Sequence, residues 1–278
     1  MKGILTIVIF LVTFGSAFSQ QEDDKHPLLT DRFIIGAGWY FPARDVKLGI
    51  EGSVDLEEQE EIDFDETLGL EKGENTFNFN FMWRFSKSKL WSVRGESFKV
   101  GATRNVTLDE EIEWEDVIYP VGGEAKVSYE IGLYRIFFGR AISTGQKHEL
   151  GGGLGIHGLN VKASVEGNAI IDGQSAGFER SDVSAFLPLP NIGFWYFWAP
   201  TDRWAFSASV DWFDVKIDNI SGGLWNVSPG VTFQIIRNLG VNVNYQFVKF
   251  NADINKDSFK GSFDLTFSGP SIRVIGNF

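Results

Sequence analysis

The chain has no cysteine and only 3 histidines among its 278 residues. That excludes a disulfide framework, thiolate metal ligation and a cysteine nucleophile. With so few imidazoles, a histidine-rich metal centre is excluded too. Basic residues are in deficit, 25 Lys and Arg against 37 Asp and Glu, for a net charge of −12. Nucleic acid needs a basic footprint, so that partner class is set aside. Past the N-terminal leader there is no apolar run of the roughly 18 residues that a spanning helix requires. What is plentiful is Phe (26), Trp (9) and Gly (31).

The first residues have the three parts of a secretory signal peptide. Lys2 is the positive n-region, 4–14 the apolar stretch, and Ala17-Phe18-Ser19 a small-residue cleavage site before Gln20. Residues 1–19 are therefore expected to be removed. No cysteine follows to carry a lipid. Residues 20–31 are polar and acidic, and are expected to form a flexible tether ahead of a domain spanning 32–278.

That domain alternates with period two, the signature of strands with one apolar and one polar face. In 75–85, Phe77, Phe79, Phe81, Trp83 and Phe85 point one way, and Asn78, Asn80, Met82 and Arg84 the other. Trp204, Phe206, Ala208, Val210 and Trp212 oppose Ser207, Ser209 and Asp211. Leu239, Val241, Val243, Tyr245 and Phe247 oppose Gly240, Asn242, Asn244 and Gln246.

A soluble sandwich buries its apolar face; a membrane barrel turns it to lipid. Three features favour the barrel. Several segments run well beyond the 5–6 residues common in soluble strands. Trp204 and Trp212 bracket an apolar stretch roughly 26 Å long at about 3.3 Å per residue, close to the ~25 Å band between aromatic girdles once tilted. Trp83, Trp91, Trp195, Trp198 and Trp204 lie near short turns, as an interfacial belt requires. Finally, the chain ends on Phe278 after Ile272, Val274 and Gly276 in two-residue steps.

In its leader, strand rhythm and terminal Phe278, the chain resembles Gram-negative outer-membrane β-barrel proteins. The resemblance implies that the terminal strand is read by the barrel-assembly machinery. It also implies contact with outer-membrane lipid and lipopolysaccharide.

Short turns at 86–89, 143–147, 200–203 and 237–238 alternate with longer connections at 56–74, 104–123, 166–180, 218–222 and 255–257. Short turns belong to the periplasmic side and long loops to the outside. The expectation is an all-β, transmembrane up-and-down antiparallel barrel of about ten strands, with twelve or eight as alternatives. Bulges are expected at Pro42 and at Gly269-Pro270. The latter would explain why apolar parity switches from odd (Phe263, Leu265, Phe267) to even (Ile272, Val274).

The parities place Asn78, Asn80, Arg84, Arg94, Glu96, His157, Ser207, Ser209, Asp211, Asn242, Asn244 and Gln246 in the lumen. A barrel of this size has a narrow or filled interior, where opposite charges satisfy one another. Residues 55–66 carry eight carboxylates and 109–116 carry six. Carboxylates suit Ca²⁺ or Mg²⁺, but the EF-hand spacing is missing, and both runs read as solvated loops. Residues 63–70 break the rhythm and suit either a short helical turn or a plain loop. The glycine run 151–155 lacks the Lys-Ser/Thr ending of a phosphate loop and reads as space for packing in a tight lumen.

A hydrolase needs a base within reach of its nucleophile. His26 lies in the tether, His148 beside a turn, and His157 on a strand without a neighbouring hydroxyl or acid. A pairing of His157 with Asp211 is conceivable across strands but not selected by spacing. No catalytic, cofactor-binding or metal residue is assigned. The expected role is a monomeric, non-catalytic barrel with a structural, surface-contact or narrow-pore function. A barrel-embedded surface hydrolase and a secreted soluble β-sandwich adhesin are the alternatives.

Overall fold

A computed structural model describes residues 25–50, 61–63, 75–108, 111–114, 117–171, 174–217, 220–256 and 259–278. The leader, most of the acidic run 55–66, and 64–70 lie outside these residues, as does part of 109–116. The strands are β1 (Phe33–Tyr40), β2 (Ala43–Ile50), β3 (Glu61–Asp63), β4 (Thr76–Arg84), β5 (Trp91–Thr107), β6 (Ile112–Trp114) and β7 (Val117–Tyr119). They continue as β8 (Glu124–Thr144), β9 (His148–Ile171), β10 (Gln174–Trp198), β11 (Trp204–Ile217), β12 (Ile220–Ile236), β13 (Leu239–Lys256) and β14 (Phe259–Asn277).

All pairings are antiparallel, and the sheet closes where β14 pairs with both β1 and β2. β1 with β2, and β3 with β4, each make one stave. With β5 and β8–β14 the barrel has ten, and the β6–β7 hairpin is extra. The Phe and Trp rows face outward: Phe77 is 58 % exposed, Trp204 46 % and Val243 48 %. A sandwich would have buried them.

Neither expected bulge is present. Tyr40 faces Ser271 and Ala43 faces Ser268, so β1 and β2 keep one register across Pro42. Gly269 faces Gln246 and Pro270 faces Tyr245 without a shift. The parity switch in β14 has a different cause, visible around the barrel.

On β9, the inward side chains run Glu149, Gly151, Gly153, Gly155, His157, and then Leu159, Val161, Ala163, Val165. The outward ones run Leu150, Leu154, Ile156, and then Asn160, Lys162, Ser164, Glu166. The apolar face changes sides between Ile156 and Leu159. The same exchange occurs at Arg135/Leu133 on β8, Asp211/Phe213 on β11, Asn226/Leu224 on β12, Gln246/Val248 on β13 and Ser271/Phe267 on β14. A regular strand needs no bulge to do this; the sequence simply moves its hydrophobes to the other parity.

The barrel thus has two storeys. The lower, between the short turns and this level, is apolar outside and polar inside. The upper is mostly polar outside, exposed Phe178 and Phe186 apart, and is filled by a cluster that includes Tyr40, Phe98, Val127, Ile131, Leu133, Leu159, Val161, Phe250 and Phe267, each at most 2 % exposed. Each fully buried aliphatic or Phe side chain contributes about 1.5–3 kcal/mol.

The upper storey is longer than the loop lengths suggest. The connection expected at 166–180 is almost entirely ladder, with Gln174 already opposite Ile171. The one expected at 104–123 contains β6 and β7. Tyr119, fully buried on β7, donates its hydroxyl to the Val165 carbonyl (3.1 Å) and contacts Ser181 Oγ at 2.9 Å, so this hairpin caps the apolar interior.

Candidate functional site

The lower lumen is the candidate site, because there the strands present polar and charged side chains to an enclosed space. All twelve residues expected in the lumen lie inward, from fully buried Asn78, His157 and Gln246 to partly buried Asn80, Arg94, Glu96, Ser207 and Ser209.

The turn end is closed by residues 25–31, where a flexible tether was expected. Pro27–Thr30 forms a one-turn helix, α1, with Pro at its start, where a missing N–H costs nothing. His26 Nδ1 accepts from the Leu28 N–H at 3.2 Å, and Leu28 is buried against Ile34, Met82 and Ile275. Arg84, 1 % exposed, donates to the Asp31 carbonyl (2.7 Å) and the Leu28 carbonyl (2.8 Å). Asp31 accepts from Asn277 Nδ2 at 2.7 Å and Arg237 Nη2 at 3.0 Å. The composition of 20–31 is polar, as a tether's would be. Nothing local reveals that Asp31 has partners two hundred residues away.

Above α1 lies a layer of buried charge. Glu149 accepts from Arg84 Nη2 (3.1 Å) and Trp195 Nε1 (2.8 Å), and its Oε1 lies 3.6 Å from Arg94 Nη2. The Arg94 guanidinium stacks 3.7 Å above the Trp195 ring. Trp195, 3 % exposed, therefore points into the lumen and not into the interfacial belt. Its face of β10 meets the glycine run: a Cβ at Gly151 would overlap the indole, and one at Gly193 would overlap Asp211 and Phe137. The glycines are spacing for Trp195 and Phe137, as packing required. Trp83, Trp91, Trp198 and Trp204 do face outward, the first three stacked with Phe33, Phe138 and Phe206 and the last tilted against Phe233. A second outward pair, Trp212 and Trp225, lies at the other side of the apolar band.

Across the lumen, Arg273 donates to Asn242 Oδ1 and Asn244 Oδ1, both at 2.9 Å, and sits 3.6 Å from Glu96. Below the apolar core, Arg135 binds Asp211 at 2.6 Å. His157 and Asp211 do approach, at 3.8 Å, but do not hydrogen-bond. His157 Nε2 lies 3.3 Å from Asn226 Nδ2 and Nδ1 lies 3.0 Å from Asn191 Oδ1. An amide donor on one nitrogen and an amide acceptor on the other select the neutral Nδ1–H tautomer. Both residues are at most 1 % exposed, beneath Leu159 and Phe213.

Glu149, Arg135, Asn191, Arg273 and Trp195 were missed from sequence. Arg273 was findable, since it falls in the polar phase between Ile272 and Val274. Glu149 sits one residue from a turn, where a charge is unremarkable. Among the described residues, no group of three His, Asp or Glu is arranged to hold a metal ion. A cavity of about 140 Å³ lies within the charged level between α1 and the apolar core, lined by Arg94, Glu96, Arg135, Ser207, Ser209, Ser228, Thr232 and Arg273 among others. Outside, on the upper storey, Glu130 bridges Lys99 (3.4 Å) and Lys162 (3.6 Å) beside a polar groove of about 710 Å³.

The fold is similar to that of the outer-membrane protease OmpT from Escherichia coli, with a TM-score of 0.56 at 10 % identity, covering 89 % of this chain and 97 % of that one. Ail of Yersinia pestis aligns at 12 % identity over 88 % and 99 % of the two chains, but with a TM-score of only 0.33. The Pseudomonas putida toluene transporter TodX aligns at 9 % identity over 91 % of each chain, with a TM-score of 0.34. No family model and no curated protein matches the sequence. The chain has the fold of a Gram-negative outer-membrane β-barrel.

Proposed function

We propose that the protein is a filled, non-conducting, non-catalytic barrel of the outer membrane, and that its role is surface contact through the upper storey. One observation carries this reading: the upper lumen is a packed apolar core and the turn end is closed by α1. Ions do not cross a dry core of that depth, because unpaired charge in an apolar medium is strongly disfavoured. In this reading the aromatic bands seat the lower storey among lipid and lipopolysaccharide. The short turns face the periplasm, and Phe278 presents the last strand to the assembly machinery. The upper storey is then a rigid stalk carrying acidic loops away from the membrane.

Planar-bilayer recording of the purified protein tests this. No steady conductance is expected, either from the whole chain or from one lacking 25–31, because the upper core still blocks the path. Stable conductance steps from the whole chain would establish the narrow-pore reading instead.

A surface hydrolase is the second reading, favoured by the approach of His157 to Asp211. Turnover of a peptide or phospholipid that is lost in His157→Ala would support it. No turnover by the wild type, or turnover unchanged in the variant, would end it.

A further inference from the structure

The charges in the lower lumen do not balance. Among the described residues, the inward groups at this level are the guanidiniums of Arg84, Arg94, Arg135 and Arg273 and the carboxylates of Glu96, Glu149 and Asp211. At the rim, Asp31 and Arg237 cancel. His157 is neutral by its hydrogen-bond partners, and arginine does not lose its proton in proteins. Arg135 has Asp211, Arg273 has Glu96, and Arg84 takes the nearer oxygen of Glu149 at 3.1 Å. Arg94 is left sharing Glu149 at 3.6 Å. Its Nε and Nη2 are buried and make no hydrogen bond among the described residues. The Trp195 face beneath it is attractive but carries no net charge.

The surroundings of Arg94 are built to donate. Ser228 Oγ accepts from Asn244 Nδ2 at 2.8 Å, and Thr232 Oγ1 accepts from Asn242 Nδ2 at 2.9 Å. Each hydroxyl is thereby left to point its own proton elsewhere, and both line the same cavity as Arg94. Ser209 faces Trp195 on one side and Ser228 on the other in the strand ladder, so these two hydroxyls are neighbours on the cavity wall next to the indole on which Arg94 stacks. The cavity of about 140 Å³ holds one small anion together with a few waters.

We propose that this chamber is a binding site for a small inorganic anion of the halide or nitrate class, held by Arg94 and the adjacent hydroxyls of Ser209 and Ser228, which neutralises the surplus cation of the lower lumen. The anion is a structural counter-ion, enclosed between α1 and the apolar core, and is taken up as the barrel closes.

The test is refolding of the full mature chain from urea into detergent micelles, with chloride replaced by the bulky anion gluconate at constant ionic strength and pH. Above saturation, the folding equilibrium constant is expected to rise tenfold per tenfold increase in chloride. Arg94→Met is expected to abolish that dependence. So is Ser209→Asp, which supplies a carboxylate in the row facing Trp195; it decides the matter if Arg94→Met does not fold. Crystals grown in bromide should show an anomalous peak within hydrogen-bond distance of Arg94. Equal stability in chloride and gluconate, a dependence that survives either variant, or a bromide peak only elsewhere would each overturn the proposal.

Discussion

Glu149 and Glu130 are the same residue type, each set between two cations, yet they belong to opposite environments. Glu149 faces the lumen of the lower storey between Arg84 and Arg94, with its side chain 6 % exposed. Glu130 faces outward on the upper storey between Lys99 and Lys162, with its side chain 43 % exposed. The difference follows from which face of the strands meets water. In the lower storey the hydrophobes are outside and charge is forced inward. In the upper storey the hydrophobes are inside and charge is released to solvent. One set of strands therefore obeys a membrane rule for half its length and a soluble rule for the other half. The level of exchange, at His157 on β9 and Arg135 on β8, fixes where the apolar band ends.

The sharpest way to break this comparison is to put a charge on the wrong side of the upper storey. Val161 is 1 % exposed within the apolar core. Val161→Lys buries an ammonium with no partner, a cost of several kcal/mol even after relaxation. We expect the variant not to refold in detergent, judged by loss of heat-modifiable migration on gels. If it refolds with wild-type stability, the upper lumen is wet and the filled-barrel reading fails with it.

The two glutamates give the next largest contrast. Glu149→Gln keeps the shape and the acceptor for Trp195 but leaves Arg84 and Arg94 buried without their carboxylate. Breaking a buried ion pair from one side costs about 3–5 kcal/mol. Glu130→Gln removes an exposed ion pair and should cost at most about 1 kcal/mol. Urea unfolding of the two variants, side by side, measures the gap. Near-equal losses would mean that the lower lumen is as well solvated as the outer surface. If Arg94 is compensated by an anion, Glu149→Gln should also make the chloride dependence set in at lower chloride.

The outward apolar face of the lower storey should respond differently again. Val243 is 48 % exposed on the outward face of β13. A lysine at such a depth costs about 2–4 kcal/mol at the bilayer midplane and much less toward the interfaces. Val243→Lys should therefore refold in detergent close to wild type and lose stability on transfer to bilayers. Equal loss in both media would place Val243 in a protein core.

Much of this was legible in sequence, and the exceptions have a common physical origin. Staves, short turns and the inward set from Asn78 to Gln246 follow from period two, which is a local property of the chain. The parity change in β14 was visible too. Gly269-Pro270 offered a local explanation, a bulge, where the true one was collective: β8, β9 and β11–β13 swap faces at the same level. Trp195 was assigned to the belt by proximity to a turn. Its parity on β10 puts it inside, where Gly151 and Gly139 leave room for it. The docking of 25–31 and the grouping of Glu149 with Arg84 and Arg94 depend on which strands become neighbours on closure. Periodicity carries no information about that.

The smallest expected effect concerns a titrating imidazole in the closure of the lower storey, a group with no counterpart in the upper core. His26 caps α1 at the turn end, outside the spanning strands, and is 2 % exposed. Burial lowers its pKa from the usual 6.5; the Arg203 backbone and the carboxylates of Asp202 and Asp31 pull the other way, while Arg237 adds to the lowering. The undocked segment, with its ordinary pKa, therefore takes up a proton before the docked one does. Docking is at full strength above pH ~6.5 and weakens as the pH falls below it, by at most about tenfold in equilibrium constant per pH unit. Geometry gives the same sign, because a protonated Nδ1 cannot accept the Leu28 N–H. Hydrogen exchange at residues 28–31, corrected for intrinsic rates, should accelerate between pH 6.5 and 5, while amides near Val161 should not respond. His26→Asn retains a capping acceptor without a titrating ring and should flatten the profile. Acceleration that persists in His26→Asn would mean that the imidazole is not the pH-sensitive part of the closure.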